Sequence, residues 1–469
     1  MNPKFRLAVC AAAIIALTGC ATTSPMLQPS VAMAPRYDEP IPAGSIAVSP
    51  DWWQRFGSQE LQSLVQAALA GSPDLAIAME RVRQAEAQVG IAGASLFPTL
   101  NLGFGTSRKT SGGDAGSRTS DASSTTLNVS YEVDLWGRNA AGVRGANEAL
   151  RGTVYDRDAA QLTLIAGVAT GYFQLLSLRS RLALARDNLA IAERVQALVA
   201  TRARNGVATQ LDVERQDATV LAQRAALMPL EQQERQTLAA LAVLIGRTPQ
   251  GFDVVSGGIA DLQVPVIDPG LPADLLVRRP DIASAEARLG GANADLAAAR
   301  AALLPSIQLT GAAGVSSAAL LTILGGPSTA ISLAMSVLQP IFDGGRLRGQ
   351  VRVSESVERE LVESYRKVIL TALGEVESAL VAASRVAQQE TLQAEVLAKA
   401  QNALRLAEVR YREGADDLLT VLDAQRSLFD AQDRLAQIKL ERLNGAVDLF
   451  KALGGGWNVG GTNLAAAKM

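Results

Sequence analysis

Leu127-Asn128-Val129-Ser130-Tyr131-Glu132-Val133-Asp134-Leu135 alternates without a break. Leu127, Val129, Tyr131, Val133 and Leu135 fall on one side of an extended chain, and Asn128, Ser130, Glu132 and Asp134 on the other. That is the period of a β-strand with one apolar and one polar face. Upstream, Pro98 to Gly105 alternates too, with Leu100, Leu102 and Phe104 on one side. The pattern recurs later with Ile307 and Leu309, then Ile331, Leu333, Met335 and Val337. Strands of this length and alternation suit a membrane β-barrel; a soluble amphipathic hairpin is the alternative. Residues 106–125, rich in Gly, Ser, Thr and Asp, are expected to form a loop between the first two strands.

The recurrence is part of a long internal repeat. Pro73-Asp74, Arg81 and Pro98-Thr99-Leu100 match Pro280-Asp281, Arg288 and Pro305-Ser306-Ile307, at an offset of 207. Trp136-Gly137-Arg138 and Arg204-Asn205-Gly206 match Gly344-Gly345-Arg346 and Arg412-Glu413-Gly414, at an offset of 208. A period this long is a whole supersecondary module. Each module opens with a helix, over 73–97 or 280–304, that begins at a proline beside an acid and stops before the next proline. No charge occurs between Arg300 and Asp343, so a transmembrane helix over 312–338 competes with two strands there. The Gly325-Gly326-Pro327 interruption and the alternation after Thr329 favour strands.

After each strand pair, 139–204 and 346–412 read as continuous helix of about 100 Å, too long for a compact domain. Leu184, Ile191 and Leu198 form one seam, and Ala185, Ala192 and Val199 a second beside it; Leu397 and Leu404 continue the pattern. Two seams let a helix pack on both sides, as a stave of a helical barrel does, or as part of a coiled-coil hairpin. Turns at Arg204-Asn205-Gly206 and Arg412-Glu413-Gly414 lead into return helices over about 209–247 and 416–452, with a kink or break expected at Pro229. Asp416 and Asp417 suit turn and cap positions. Four strands cannot close a barrel, and lipid tolerates no open edge, so several copies must combine; three give twelve strands and twelve staves.

Composition narrows the function. The chain has 469 residues, 4% aromatics, a net charge of -2 and no histidine. Without histidine, Ser-His-Asp, Cys-His and His-based zinc sites are excluded, and no phosphate loop or metal cluster is present in the sequence, so an enzyme is not expected and no cofactor is implied. No basic patch marks a nucleic-acid partner. Lys4 and Arg6 precede an apolar run, Leu7 to Leu17, then Leu17-Thr18-Gly19-Cys20. This resembles a bacterial lipoprotein signal, with Cys20 as the acylated residue; an ordinary signal peptide is the bland alternative. The alanine after Cys20 resembles sorting to the outer membrane. The chain then divides into a signal (1–19), a tether and equatorial segment (20–72), a first repeat (73–247), a linker (248–279), a second repeat (280–453) and a tail (454–469).

Four segments carry a wider resemblance: Asp51-Trp52-Trp53-Gln54-Arg55-Phe56, Leu241-Ala242-Val243-Leu244-Ile245-Gly246, Leu276-Val277-Arg278-Arg279-Pro280-Asp281-Ile282 and Leu422-Asp423-Ala424-Gln425-Arg426-Ser427-Leu428. With Gly454-Gly455-Gly456-Trp457 they resemble the TolC-like outer-membrane factors of tripartite efflux and type I secretion systems, in particular the lipoprotein branch related to NodT and OprM. Ser72 departs from the asparagine frequent there. The resemblance implies a mainly α fold with membrane β: a homotrimer whose outer-membrane barrel, four strands per chain, continues into a long periplasmic α-helical barrel. It implies outer-membrane lipid as surroundings, a periplasmic adaptor (membrane fusion) protein and an inner-membrane pump of the RND type as partners, and a passive exit duct for drugs or other small molecules. It also implies a periplasmic gate at Asp423 and Leu419, with Asp212 at the matching tip, and adaptor contacts at Gly206, Val207, Gly414 and Ala415. Gly206 and Gly414 fit either close backbone approach or helix capping. Trp52 and Trp53 are expected to pack, and Tyr131 and Trp136 to sit at membrane interfaces. A non-conducting structural or adhesive coiled-coil lipoprotein is the rival function; an adaptor, with one hairpin between small β domains, fits less well.

Overall fold

The computed structural model describes residues 25–39, 45–113, 116–255, 258–317 and 328–458. The signal, Cys20, the Gly325-Gly326-Pro327 interruption and most of the tail lie outside the described residues.

The duplication is visible element by element. The first repeat contains α2 (Pro73–Ala94), β1 (Thr99–Gly113), β2 (Gly116–Val133), α3 (Arg138–Arg204) and α4 (Gln210–Leu244), preceded by α1 (Gln59–Gly71). The second contains α5 (Pro280–Ala301), β3 (Ser306–Ser317), β4 (Ser328–Leu338), α6 (Arg346–Arg412) and α7 (Leu418–Ala452). Matching helices have equal lengths: 22 residues for α2 and α5, 67 for α3 and α6, 35 for α4 and α7. The expected long helices are there almost to the residue. α2 and α5 stop three residues early, because the chain tightens into i to i+3 turns, Phe97 donating to Ala94 and Leu304 to Ala301, before each proline.

The chain divides into two compact units. One holds Arg81–Val154 and Ser284–Lys367, including the sheet. Its four strands form an antiparallel meander in the order β1-β2-β3-β4, with the repeats joined at β2 and β3. The strands run further than the alternation suggested. Residues 106–125, expected as a loop, continue the ladder through Gly113 and Gly116. Polar residues pair across it, as in Thr110 opposite Thr119 and Arg108 opposite Asp121, the latter with an ion pair at 2.7 Å. Composition misled here because a hairpin that leaves the apolar zone needs no apolar side chains to keep its backbone bonds. Over the described part of 312–338 the strands, not a helix, are found. Trp136 Nε1 donates to the Pro305 carbonyl at 2.6 Å and fastens the junction before β3. Small residues let α3 approach α5: a Cβ at Gly152 would stand 3.8 Å from the Ser284 carbonyl, and Ser284 Oγ donates to the Gly152 carbonyl.

The other unit holds Val31–Glu80, Tyr155–Ala283 and Val368–Met469. Its aromatic centre joins Trp52 and Phe56 of a 3-10 turn to Phe173 of α3 and Phe450 of α7; Trp52 stacks on Phe450 at 5.0 Å. Trp52 and Trp53 are packing residues, as expected. α1 is capped by Ser58, whose hydroxyl also meets the Tyr172 hydroxyl at 3.0 Å. Arg279, almost fully buried, bridges Asp281, Glu375 and the Ala452 carbonyl at the end of α7. Of the two seams of α3, Ala185, Ala192 and Val199 are buried, while Ile191 and Leu198 lie partly buried at the cluster's edge. Pro229 does not break α4, since Leu230 beside it packs with Leu178, Leu182 and Ala185. α3 is apolar enough over 18 residues to cross a membrane by composition, but half of that stretch is buried within the chain.

Candidate functional site

Both hairpins turn in the same way. Gly206 and Gly414 have φ of 71° and 74°, a region that favours glycine. Val207 N donates to Arg202 O, and Gly206 N to Ala203 O; Ala415 N donates to Arg410 O, and Gly414 N to Tyr411 O. These are paired Schellman bonds that satisfy the last carbonyls of α3 and α6. No atom stands within 4 Å of a Cβ placed on either glycine, so capping, not close approach within the chain, explains them. Val207 is exposed at the first turn.

The return helices start on the same two side chains in reversed order. In the first repeat Thr209 is the cap of α4 and Asp212 the third residue. Thr209 Oγ1 accepts from Asp212 N at 3.2 Å, and Asp212 Oδ2 accepts from Thr209 N and Oγ1, both at 2.8 Å. In the second, Asp417 caps α7 and Oδ1 accepts from Thr420 N and Oγ1 at 3.0 Å. Bonds from the Thr209 and Thr420 backbone amides, and then from their hydroxyls, hold both carboxyls below the usual range. Asp212 is thereby fixed in a capping box. Asp416 accepts from Arg410 Nε at 2.9 Å, a turn role as anticipated.

Leu419 and Asp423 stand one turn apart on α7, both exposed: Leu419 by 50% and the Asp423 side chain by 60%. Between them Val421 is buried. The exposed pair therefore lies on the face of α7 turned away from its own hairpin. Arg426 approaches Asp423 at 3.4 Å. One tip residue escaped the sequence reading. Arg202 near the end of α3 donates to the Tyr411 carbonyl, approaches that of Arg412 at 3.5 Å, and lies 4.5 Å from the centre of the Tyr411 ring. A cation at the carbonyl end of α6 complements its dipole. Nothing in spacing links residues 209 positions apart, so this tie is visible only in three dimensions.

In the sheet, the register puts Leu100, Val129, Gly311 and Leu333 in one row and Leu102, Leu127, Ala313 and Ile331 in the next, all on one face. The faces read from the alternation are the faces found. This apolar face is open: Leu102 is 75% exposed, Ile331 and Leu333 87% each. The opposite face carries rows such as Asn101, Asn128, Ala312 and Ser332. β1 and β4 each have one neighbour among the described residues, leaving two unpaired edges. No group of three or more acids, cysteines or histidines that could hold a metal ion is found among the described residues.

A family model described as "Outer membrane efflux protein" matches residues 64–247 and 271–455, one stretch per repeat. The pyoverdine export outer membrane protein OpmQ of Pseudomonas aeruginosa is 43% identical over 464 residues, 97% of each chain. The outer membrane protein OprJ of the same species is 34% identical over 447 residues, 91% of this chain and 93% of OprJ. Among solved structures, the outer-membrane channel OprN superposes with a TM-score of 0.85 at 28% identity, covering 93% of this chain and 99% of that one. The open state of the Neisseria gonorrhoeae MtrE outer membrane channel gives 0.85 at 30% identity, covering 94% and 99%. An open apolar sheet face, paired long hairpins and these likenesses agree: the chain belongs to the outer membrane efflux protein family and is an outer-membrane efflux channel.

Proposed function

We propose that three copies of this chain form a passive exit duct, anchored by acylated Cys20, that completes a tripartite assembly with a periplasmic adaptor and an inner-membrane pump of the RND type. The sheet is the observation that carries this reading. Its apolar face is exposed over four strands and both its edges lack a partner, which lipid does not tolerate in a lone chain. Exposed apolar residues on the long helices, Leu221 and Met228 on α4 and Leu392 and Val396 on α6, give further surface for neighbouring copies. The likeness to a protein named for pyoverdine export supports pyoverdine or a related molecule as cargo, alongside the drug-like molecules suggested by the family. The pump supplies energy; the duct supplies a path.

The resting constriction is assigned to Leu419 and Asp423, because both are exposed on one face of α7 near its start. Threefold repetition then sets apolar and acidic rings one turn apart. Asp212, hydrogen-bonded in its capping box, adds charge at the other tip. The turns at Gly206-Val207 and Gly414-Ala415 are the adaptor-facing ends. Planar-bilayer recording of the purified protein and of Asp423→Ala tests this. A small, mostly closed conductance that rises on substitution supports the gated duct. Conductance unchanged by the substitution removes Asp423 from the gate, and inserted protein without conductance removes the duct.

A further inference from the structure

The duplication fixes more than the number of strands. α2 and α5 begin 207 residues apart, α3 and α6 208 apart. The ladders keep the same offsets. Leu100 faces Val129, and Ile307 faces Val337; Ile307 is 207 beyond Leu100, and Val337 is 208 beyond Val129. The additional residue therefore falls between β3 and β4 and leaves the pairing unshifted. β1–β2 and β3–β4 are the same hairpin, residue for residue. The chain also contains one junction between hairpins, β2 to β3, in which Val133 faces Ile307 and Thr126 faces Gly314.

A ring of copies needs a second junction, from β4 of one copy to β1 of the next. We propose that this junction between copies repeats the β2–β3 register. Moving Leu127 on by 208 and Ala313, which it faces, back by 207 sets Met335 opposite Thr106 of the partner subunit. By the same step Val337 faces Phe104 of the partner subunit, and Ala334 faces Ser107 of the partner subunit. The inference rests on the trimer reading above and adds the register to it.

Two observations support this register. First, it keeps the faces continuous: odd-numbered residues of β4 and even-numbered residues of β1 carry the apolar face, and the register joins odd to even. A slip of one residue would turn Ile331 and Leu333 toward the polar side. Second, residues left bare in the single chain meet each other. Val337 near the end of β4 is 60% exposed and Phe104 of β1 64%. Slips of two residues also preserve the faces, so they are the competitors that the duplication decides against. The sequence of partners Leu100, Val129, Gly311, Leu333 and then the partner's Arg108 advances eight residues per copy. Three copies give a shear of 24, whereas a slip of two per junction gives 18 or 30.

Cysteine pairs on the polar face test it. Ala334→Cys is combined in turn with Ser107→Cys, Gly105→Cys and Lys109→Cys, and the protein is oxidised in membranes and run without reductant, with each single variant as control. Facing ladder residues have Cα atoms about 4.5–5.5 Å apart, within disulfide reach. Partners two residues away stand about 8 Å off, outside it. A bond inside one copy is excluded, since β1 and β4 lie three strand spacings apart, about 14 Å. A covalently closed trimer is expected for the 334 and 107 pair alone. A trimer that links 334 to 105 or 109, or to none of the three, overturns the register and leaves the trimer standing. Native mass measurement that finds no trimer overturns the parent reading instead.

Discussion

Gln425→Met is expected to stabilise the protein. Gln425 is 1% exposed on α7, packed near the tip, and among the described residues neither its amide nitrogen nor its amide oxygen has a hydrogen-bond partner. Because it is buried inside one chain, no neighbouring copy can reach it. A buried polar group without a partner costs about 1–3 kcal/mol. Methionine has the same unbranched length and fills nearly the same volume, so the packing penalty stays small, below about 1.5 kcal/mol. Two orphaned atoms against that penalty leave a net gain of about 2 kcal/mol per chain. At about 2.1 cal/mol/K per residue, 469 residues unfolding as one unit carry an entropy near 1 kcal/mol/K, so the midpoint rises by about 2 °C. Unfolding as smaller units gives a larger rise. Scanning calorimetry at matched protein and detergent concentrations reads the shift, with Gln425→Glu as the opposite perturbation, expected to fall. A lower midpoint for Gln425→Met would refute the reasoning, since it would mean that the amide is bonded, by internal water if not by protein.

Thr209→Ala removes the cap that holds the start of α4, and a local loss of about 1 kcal/mol should appear as faster amide exchange at Gln210 to Val213, with exchange in the sheet unchanged. Acid acts on the same ends. The carboxyls of Asp212 and Asp417 are depressed by their cap bonds, so their contribution is complete above the ordinary carboxylate value of about 3.9 and is lost as pH falls through the lower folded values. Protection factors at the tips, with rates corrected for the intrinsic pH dependence of exchange, should therefore stay flat from pH 6 to about pH 4 and then fall; a fall near pH 6 would point to other groups. Glycines with similar φ should respond very differently. Gly206→Ala meets open space and costs about 1–2 kcal/mol for its left-handed backbone, whereas Gly454→Ala would set its Cβ 1.8 Å from the Arg278 carbonyl and is expected to abolish the folded protein in expression and heat-stability assays.

The parts of this fold governed by local periodicity were legible in the sequence. Strand faces follow from strict alternation, and helix ends from Pro73, Pro280, Gly206 and Gly414, because each is decided by neighbours within a few residues. Strand length was not legible, since residues 106–125 keep their ladder while losing the apolar signal that marks a strand. At Pro229 a local rule predicts a kink or break; α4 runs through it without a break, with Leu230 packed against Leu178, Leu182 and Ala185. For the candidate site, Leu419 and Asp423 came from a motif, and the structure finds both exposed. The Arg202 tie to α6 and the orphaned amide of Gln425 depend on which distant segments meet, and no spacing encodes that, whereas the reversed caps join residues only three apart.

Putting two modules in one polypeptide also changes what a single residue does to a ring. Offset by 208, the place of Asp423 on α7 is taken on α4 by Arg215. In a ring of six identical modules an acid there would face only acids. In the proposed ring of three doubled chains, acid and guanidinium would alternate around the circle. Arg215 is already near enough to both tips to add to the depression that cap bonds impose on Asp212 and Asp417. Under the proposed trimer, the mouth of the duct would be drawn together by attraction between unlike neighbours, which six identical modules could not supply.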